Sequence, residues 1–318
     1  MKLFEKISRL EKHIGQTHTS SLEFPYGNLY AKLEFGNFMG SIKDRAAFYV
    51  MKKAIEDGKI DQNTTIIESS SGNLAMGLGG ICKCLGLKFI AVVDPKITRE
   101  KEKNLSYLAT EIVKVHDMDD TGGYLLTRIA KVKELVSLIP NSYNLNQYSN
   151  TDNYMSYYNS LGNEINDTFD RLNYLFVSVS TGGTVTGLSM RLREKFPDLK
   201  VIAVDIEGSL ALGGEPKKRN ISGLGSSRAS EFIPKIKLDH TMILTEKEIV
   251  KGCEELFHEQ MIFAGGSSGA AYYAAKRFLA RESRRDDNSL IICPDRGHAY
   301  IDIIYTNNKI KADEISGY

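Results

Sequence analysis

Short runs of β-branched and aromatic residues alternate along the chain with longer stretches whose apolar positions recur at helical spacing. Thr65-Ile66-Ile67, Phe89 to Val93, Ile112 to Val115, Tyr174 to Val179, Val201 to Val204 and Leu290 to Cys293 predict strands. Residues 43–57, 72–86, 120–138, 184–195, 246–259 and 268–283 predict the helices between them. Strand and helix in alternation imply an α/β fold of mainly parallel sheets, covered by helices on both faces. A chain of 318 residues holds one large domain or two medium ones. No repeat or low-complexity linker marks a boundary.

Three clusters of glycines and hydroxyls interrupt this pattern, and each is expected at a strand-to-helix junction. They are Glu68-Ser69-Ser70-Ser71-Gly72-Asn73, Ser180-Thr181-Gly182-Gly183-Thr184 and Ala264-Gly265-Gly266-Ser267-Ser268-Gly269. Open α/β sheets bind ligands at such junctions. In the second cluster the glycines let backbone N–H groups converge, and a helix N-terminus adds positive partial charge, which makes a phosphate cradle. It lacks the GK[ST] ending of a Walker loop and is not a G-x-G-x-x-G fingerprint. Taken alone, such a turn is equally an ordinary tight connection.

Charge narrows the choice of partner. Lys plus Arg number 41 against 40 for Asp plus Glu, so a net charge of +1 offers no field for nucleic acid or an anionic membrane. Small molecules and a second copy of the chain remain as partners. Cys82, Cys84, Cys253 and Cys293 lack zinc-site or disulfide-scaffold spacing, so no metal is expected and a reduced, cytoplasmic setting fits. The opening MKLFEKISRLEKHIG reads as a charged amphipathic helix without an apolar signal core. No later run approaches the ~20 apolar residues of a membrane span.

In Gly40-Ser41-Ile42-Lys43-Asp44-Arg45 a lysine opens a helical pattern between residues that can hydrogen-bond and neutralise it. A partly desolvated lysine there can lose enough basicity to form a Schiff base with an aldehyde. By composition alone it would be a surface lysine.

The order of the motifs resembles the fold-type II pyridoxal-phosphate family of cysteine synthases and cystathionine β-synthases. The Lys43 motif, the Ser-Gly-Asn loop, the Thr-Gly-Gly-Thr loop and the late Gly-Gly-Ser serine occur in that family's order, and the likeness starts at Ile14-Gly15-Gln16-Thr17. The resemblance implies a tryptophan synthase β-like fold with a small mobile domain over 37–146 and a large domain from 1–36 and 147–318. It also implies a homodimer, a pyridoxal 5'-phosphate cofactor and small amino-acid substrates. Carried over by motif, Lys43 is the Schiff-base lysine and the base at the substrate Cα. Thr181, Gly182, Gly183 and Thr184 cradle the phosphate, and Asn73 bonds the cofactor's ring oxygen. Ser267 faces the pyridine nitrogen, and a neutral hydroxyl there suits β-replacement through an aminoacrylate. Ser70, Ser71 and Gly72 would grip the substrate carboxylate, with Gln147 assisting.

Several strings depart from an ordinary cysteine synthase: Asn37-Phe38-Met39-Gly40, Leu74 after Asn73, Asp94 to Ile97, Gly122 to Val132, Gly223 to Arg228 and Pro294 to Gly297. They resemble a branch of the family that joins O-phospho-L-serine to L-glutamate, toward the 2,3-diaminopropionate of siderophores. Arg128, Arg228 and Arg296 sit in or beside these strings, where guanidinium forks could hold phosphate or carboxylate, Arg228 first because it follows a flexible Gly-x-Gly-Ser-Ser turn. Alternatively they pair structurally with Asp44, Asp295 or Asp302. Tyr148 is either part of the nucleophile pocket or a packed tyrosine. The rival readings are a cysteine synthase or a sulfide-releasing enzyme acting on L-cysteine, and a silent binding homologue. His13, His18, His116, His240 and His258 are expected in solvent, and His298 is assigned no role. Cys82-Lys83-Cys84 and the stripe Ile249, Cys253, Leu256, Phe257 read as packing.

Overall fold

The computed structural model describes residues 2–120 and 122–306. Among them, ten strands form two sheets. The strands are β1 (Thr19–Leu22), β2 (Asn28–Leu33), β3 (Thr65–Ser69), β4 (Lys88–Val93), β5 (Glu111–Lys114), β6 (Ser142–Tyr143), β7 (Tyr174–Ser178), β8 (Lys200–Ile206), β9 (His240–Leu244) and β10 (Asn288–Cys293). The helices are α1 (Leu3–Leu10), α2 (Lys43–Glu56), α3 (Asn73–Leu85), α4 (Arg99–Leu108), α5 (Leu125–Leu138), α6 (Asp152–Asn159), α7 (Leu161–Thr168), α8 (Gly183–Lys195), α9 (Glu246–Gln260) and α10 (Gly266–Glu282).

The larger sheet runs β1-β2-β10-β7-β8-β9, antiparallel only between β1 and β2. The smaller runs β5-β4-β3-β6 and is parallel throughout. Every residue of β3 is buried, as a strand covered on both faces requires. Ile66, Phe89 and Ala91 pack toward Met51, Leu78 and Ile81 of α2 and α3. Ile67, Ile90 and Val92 face Val132 of α5 on the other side. Ile7 and Leu10 of α1 belong to the first of these clusters, so the N-terminal helix packs beside α2 and α3.

Strand order fixes where ligands can enter. In the larger sheet β7 leads rightward to β8 and β9, whereas β10 lies on its other flank. In the smaller sheet β3 leads to β4, with β6 on its other flank. The chain after β3 and after β7 crosses to one flank only, while the strand on the other flank is reached from elsewhere in the chain, and at such a switch in strand order an open α/β sheet leaves a crevice beyond its carboxyl ends. The serine loop follows β3, Gln147 follows β6, the Thr181 turn follows β7 and Asp295 follows β10.

Three expectations are corrected. The helix predicted from 120 begins at Leu125, because Gly122, at φ +71°, belongs to a turn closed by Gly122 N–H to Asp119 O at 2.9 Å. The third glycine cluster joins two helices, α9 and α10. Ala264 makes only an isolated bridge to Arg296, too short to form a strand. Phe257 leaves its stripe and is exposed, while Ile249, Cys253 and Leu256 are buried. Cys82 is buried and Cys84 exposed, and no metal-binding group of His, Cys, Asp or Glu occurs among the described residues.

Candidate active site

Lys43 is the first residue of α2. The segment before it is pinned to the end of β10 by Ile42 N–H to Pro294 O at 2.9 Å and by a bridge between Ser41 and Asp295. Behind it, Arg45 is fully buried and donates to Glu34 at 2.6 and 2.8 Å and to Glu164 at 2.6 and 2.9 Å. Asp44 accepts the N–H groups of Met39 at 2.7 Å and Ser41 at 3.3 Å. The residues flanking the lysine thus spend their charge on holding the helix start. Lys43 alone is left facing the cleft. Burial lowers its pKa to about 8 even though the Asp295 carboxylate works in the other direction, so a useful share of the amine is neutral near pH 8.

One cleft of about 870 Å³ gathers both sheet ends and contains Lys43, Ser70, Ser71, Gly72, Asn73, Arg128, Gln147, Tyr148, Thr181, Gly182, Gly183, Thr184 and Ser267. The Ser70 hydroxyl accepts from the N–H groups of Gly72 and Ala75, both at 3.3 Å, and so caps α3 and shapes the serine loop. Gln147 braces that loop by donating to Ser69 O at 3.3 Å. The Thr181 turn presents the start of α8, whose first N–H groups have no partner within the helix. Gly182 sits there at φ +88°, and a Cβ on it would collide with Ser230 Oγ. Ser267 lies in the first turn of α10, held by Ser178 Oγ donating to its carbonyl at 2.6 Å.

The arginines separate. Arg128 lines the cleft, 3.2 Å from Asp94 and 3.5 Å from Ser71 Oγ. Arg228 is not among the lining residues. It pairs with Glu231 and stacks 5.4 Å from the centre of the Tyr148 ring, so it reaches the cleft through that ring. The turn before it is not loose: Gly225 N–H donates to Val179 O at 2.8 Å, and Arg219 donates to Leu224 O at 3.3 Å and Ser227 Oγ at 3.1 Å. Arg296 is exposed and lies over Phe35 at 4.4 Å. The five histidines expected in solvent are exposed, and His298 lies edge-on to Phe263 outside the cleft.

Several lining residues escaped sequence reasoning. Lys96, Lys101, Lys217, Lys218 and Arg219 add positive charge to the walls, with Asp94 and Asp295 as the carboxylates opposite. The run Lys217-Lys218-Arg219, just before the glycine turn, was the available signal. Glu68 braces the serine loop from beneath by accepting the Asn146 N–H at 2.9 Å and the Asn144 amide at 3.2 Å, and burial pushes its pKa up to about 7.

A half-buried amine of lowered basicity, an N-terminal helix turn with no room for a side chain at Gly182 and a hydroxyl at a second helix start converge on one cleft. Comparison with known proteins agrees: residues 10–295 match the model of the family "Pyridoxal-phosphate dependent enzyme", and the chain belongs to that family. It is a pyridoxal-phosphate-dependent enzyme. N-(2-amino-2-carboxyethyl)-L-glutamate synthase of Ralstonia nicotianae is 42% identical over 278 residues, covering 87% of this chain and 82% of that protein. Among solved structures, the O-acetylserine dependent cystathionine β-synthase of Helicobacter pylori is 31% identical with a TM-score of 0.86, over 93% of this chain and 98% of that one. A hydrogen sulfide-producing enzyme from Fusobacterium nucleatum is 25% identical with a TM-score of 0.84, over 92% of this chain and 98% of that one.

The residues present fit the cofactor. Lys43 would offer the amine for its aldehyde, the Thr181 to Thr184 turn the N–H groups for its phosphate, and Ser267 a neutral hydroxyl for its ring nitrogen, all three lining the one cleft.

Proposed function

We propose that the enzyme performs a β-replacement in which O-phospho-L-serine and L-glutamate give N-(2-amino-2-carboxyethyl)-L-glutamate and phosphate. The observation that carries this reading is the charge of the cleft: Lys96, Lys101, Arg128, Lys217, Lys218 and Arg219 line it against two carboxylates. A site for phosphate and dicarboxylate reactants needs that excess, whereas an acetyl leaving group and sulfide do not. The name of the Ralstonia relative supports the same pair.

Bound pyridoxal phosphate withdraws electrons from the substrate Cα, loosening its proton and the β-substituent. Lys43 Nζ takes the Cα proton and later returns it. The Ser70, Ser71 and Gly72 loop binds the α-carboxylate, with Gln147 fixing the loop. Arg128 draws the phosphate, which departs with its bonding electron pair. The glutamate nitrogen then bonds to Cβ and loses a proton. In this reading Arg228 acts on the nucleophile's space by holding the Tyr148 ring. Residues 37–146 form a small domain that closes on the large one, made of 1–36 and 147–318, and shuts out water. The enzyme is read as a cytoplasmic homodimer that serves siderophore assembly.

The test is phosphate release from O-phospho-L-serine with and without L-glutamate. Release that depends on glutamate supports the proposal. A higher kcat/KM for sulfide formation from L-cysteine, or for O-acetyl-L-serine with sulfide, would replace it with the corresponding reading. Arg128→Ala should cost at least about tenfold more kcat/KM with O-phospho-L-serine than with O-acetyl-L-serine.

A further inference from the structure

Asp295 lies two residues beyond the end of β10 and is almost fully buried, yet it lies in the cleft wall and pairs with none of the arginines considered for it. Its backbone joins two parts of the site: it bridges to Ser41, two residues before Lys43, and its carbonyl accepts the Gly265 N–H at 3.0 Å, two residues before Ser267. Its side chain joins two more. Oδ2 accepts the Asn73 amide at 2.7 Å and the Tyr300 hydroxyl at 2.7 Å, while Oδ1 has no hydrogen-bond partner. Asn73 opens α3 beside the smaller sheet and Tyr300 follows β10 of the larger, so this one carboxylate ties the two sheet ends together across the cleft.

The surroundings also set its charge. Burial raises the Asp295 pKa on balance, and the two donors on Oδ2 and the ammonium groups of Lys101 and Lys43 oppose that rise. Lys101 reaches in from α4 and lies 5.7 Å from the Tyr300 ring centre. The remaining titratable groups that feel Asp295 are Cys253, Cys293 and Tyr305, all neutral at ordinary pH because burial raises their pKa values. In its ionised form Asp295 is the carboxylate whose charge works against the burial of the Lys43 amine.

We infer that Asp295 is a positioning residue of the active site, which orients the Asn73 amide toward the cofactor ring and supplies the counter-charge for the Lys43 amine. This goes beyond the substrate reading and does not depend on it. A carboxylate here serves the reaction twice. It stabilises the ammonium that Lys43 becomes each time it holds the substrate proton, and it keeps the Asn73 carboxamide on a fixed axis with its second N–H free to donate.

The sign of one shift separates this role from mere support of the fold. In cofactor-free protein, competitive amine labelling read by mass spectrometry gives the pH midpoint for Lys43, expected at about 8. Asp295→Asn should lower that midpoint by roughly one pH unit, since an opposing charge is lost. Loosening of the site would instead let water reach Lys43 and raise the midpoint toward an ordinary lysine's. Asp295→Glu should restore it. Should Asp295→Asn fail to fold, Tyr300→Phe gives the same downward direction with smaller size, because the carboxylate loses a donor and holds its proton more firmly. A midpoint that stays in place or rises would overturn the proposal.

Discussion

Arg45 Nε lies 2.6 Å from Glu34 Oε2, and both side chains are closed to solvent. The same guanidinium reaches Glu164 at 2.6 Å, and Lys32 completes the network at 2.9 Å from Glu164. Burial works against the Glu164 charge, but the Arg45 and Lys32 bonds bring its pKa to about 2. Arg45→Ala would leave two carboxylates in the interior with one lysine between them. It should destabilise the protein by about 3–5 kcal/mol, measured by denaturant unfolding. A loss below about 1 kcal/mol would show that the network contributes specificity and little stability.

Asp44 gives a pH dependence of definite sign. Burial pushes its pKa up to about 7, against the Met39 and Ser41 backbone bonds and with the Glu34 charge adding to the rise. The folded state therefore binds this proton more tightly than the unfolded state does. The stability it contributes is full below about pH 4 and is lost as pH rises through about 7. Asp44→Asn keeps an acceptor for both N–H groups and removes the titration. Its Tm relative to the wild type should be higher at about pH 8.5 than at about pH 5. A pH-independent difference would contradict the assignment.

Gly182, in the turn proposed to hold the phosphate, is a position where an added side chain is both strained and crowded. Its φ of +88° costs an L-residue about 1–2 kcal/mol, and an added Cβ meets Ser230, whose hydroxyl is held by Thr181 O at 2.7 Å. Gly182→Ala should weaken cofactor binding at least about tenfold, read by titrating cofactor into cofactor-free protein and following absorbance. Wild-type affinity in the variant would place the phosphate elsewhere.

Local pattern was enough to find the parts that repeat with a period. The six predicted strands correspond to β3, β4, β5, β7, β8 and β10, and the seven predicted helices, the N-terminal one included, to α1, α2, α3, α5, α8, α9 and α10. It failed where tertiary contacts decide. β6 is two residues long and exists because Thr65 and Ile66 pair with it, while β9 carries exposed positions that break any alternation. The short helices α6 and α7 lie in a polar, asparagine-rich stretch whose buried members, such as Tyr157 and Leu161, pack with Leu188.

That Lys43, Asn73, the Thr181 turn and Ser267 would meet in one cleft was legible because each sits in a short motif at the start of a helix. Asp295 was visible only as a possible arginine partner, since its bonds span 222 residues to Asn73 and cross from one sheet to the other. Arg228 misled for the same reason. Nothing local showed that the ring of Tyr148 lies between it and the cleft.

Lys43, among many lysines, is proposed to carry the cofactor. Borohydride reduction of the purified enzyme followed by peptide mass mapping tests it directly. The cofactor's mass is expected on the peptide containing Lys43, with loss of both that mass and the visible absorption band in Lys43→Ala. Cofactor fixed to Lys96, Lys101 or Lys218 in the wild-type enzyme, or an unchanged band in Lys43→Ala, would contradict it.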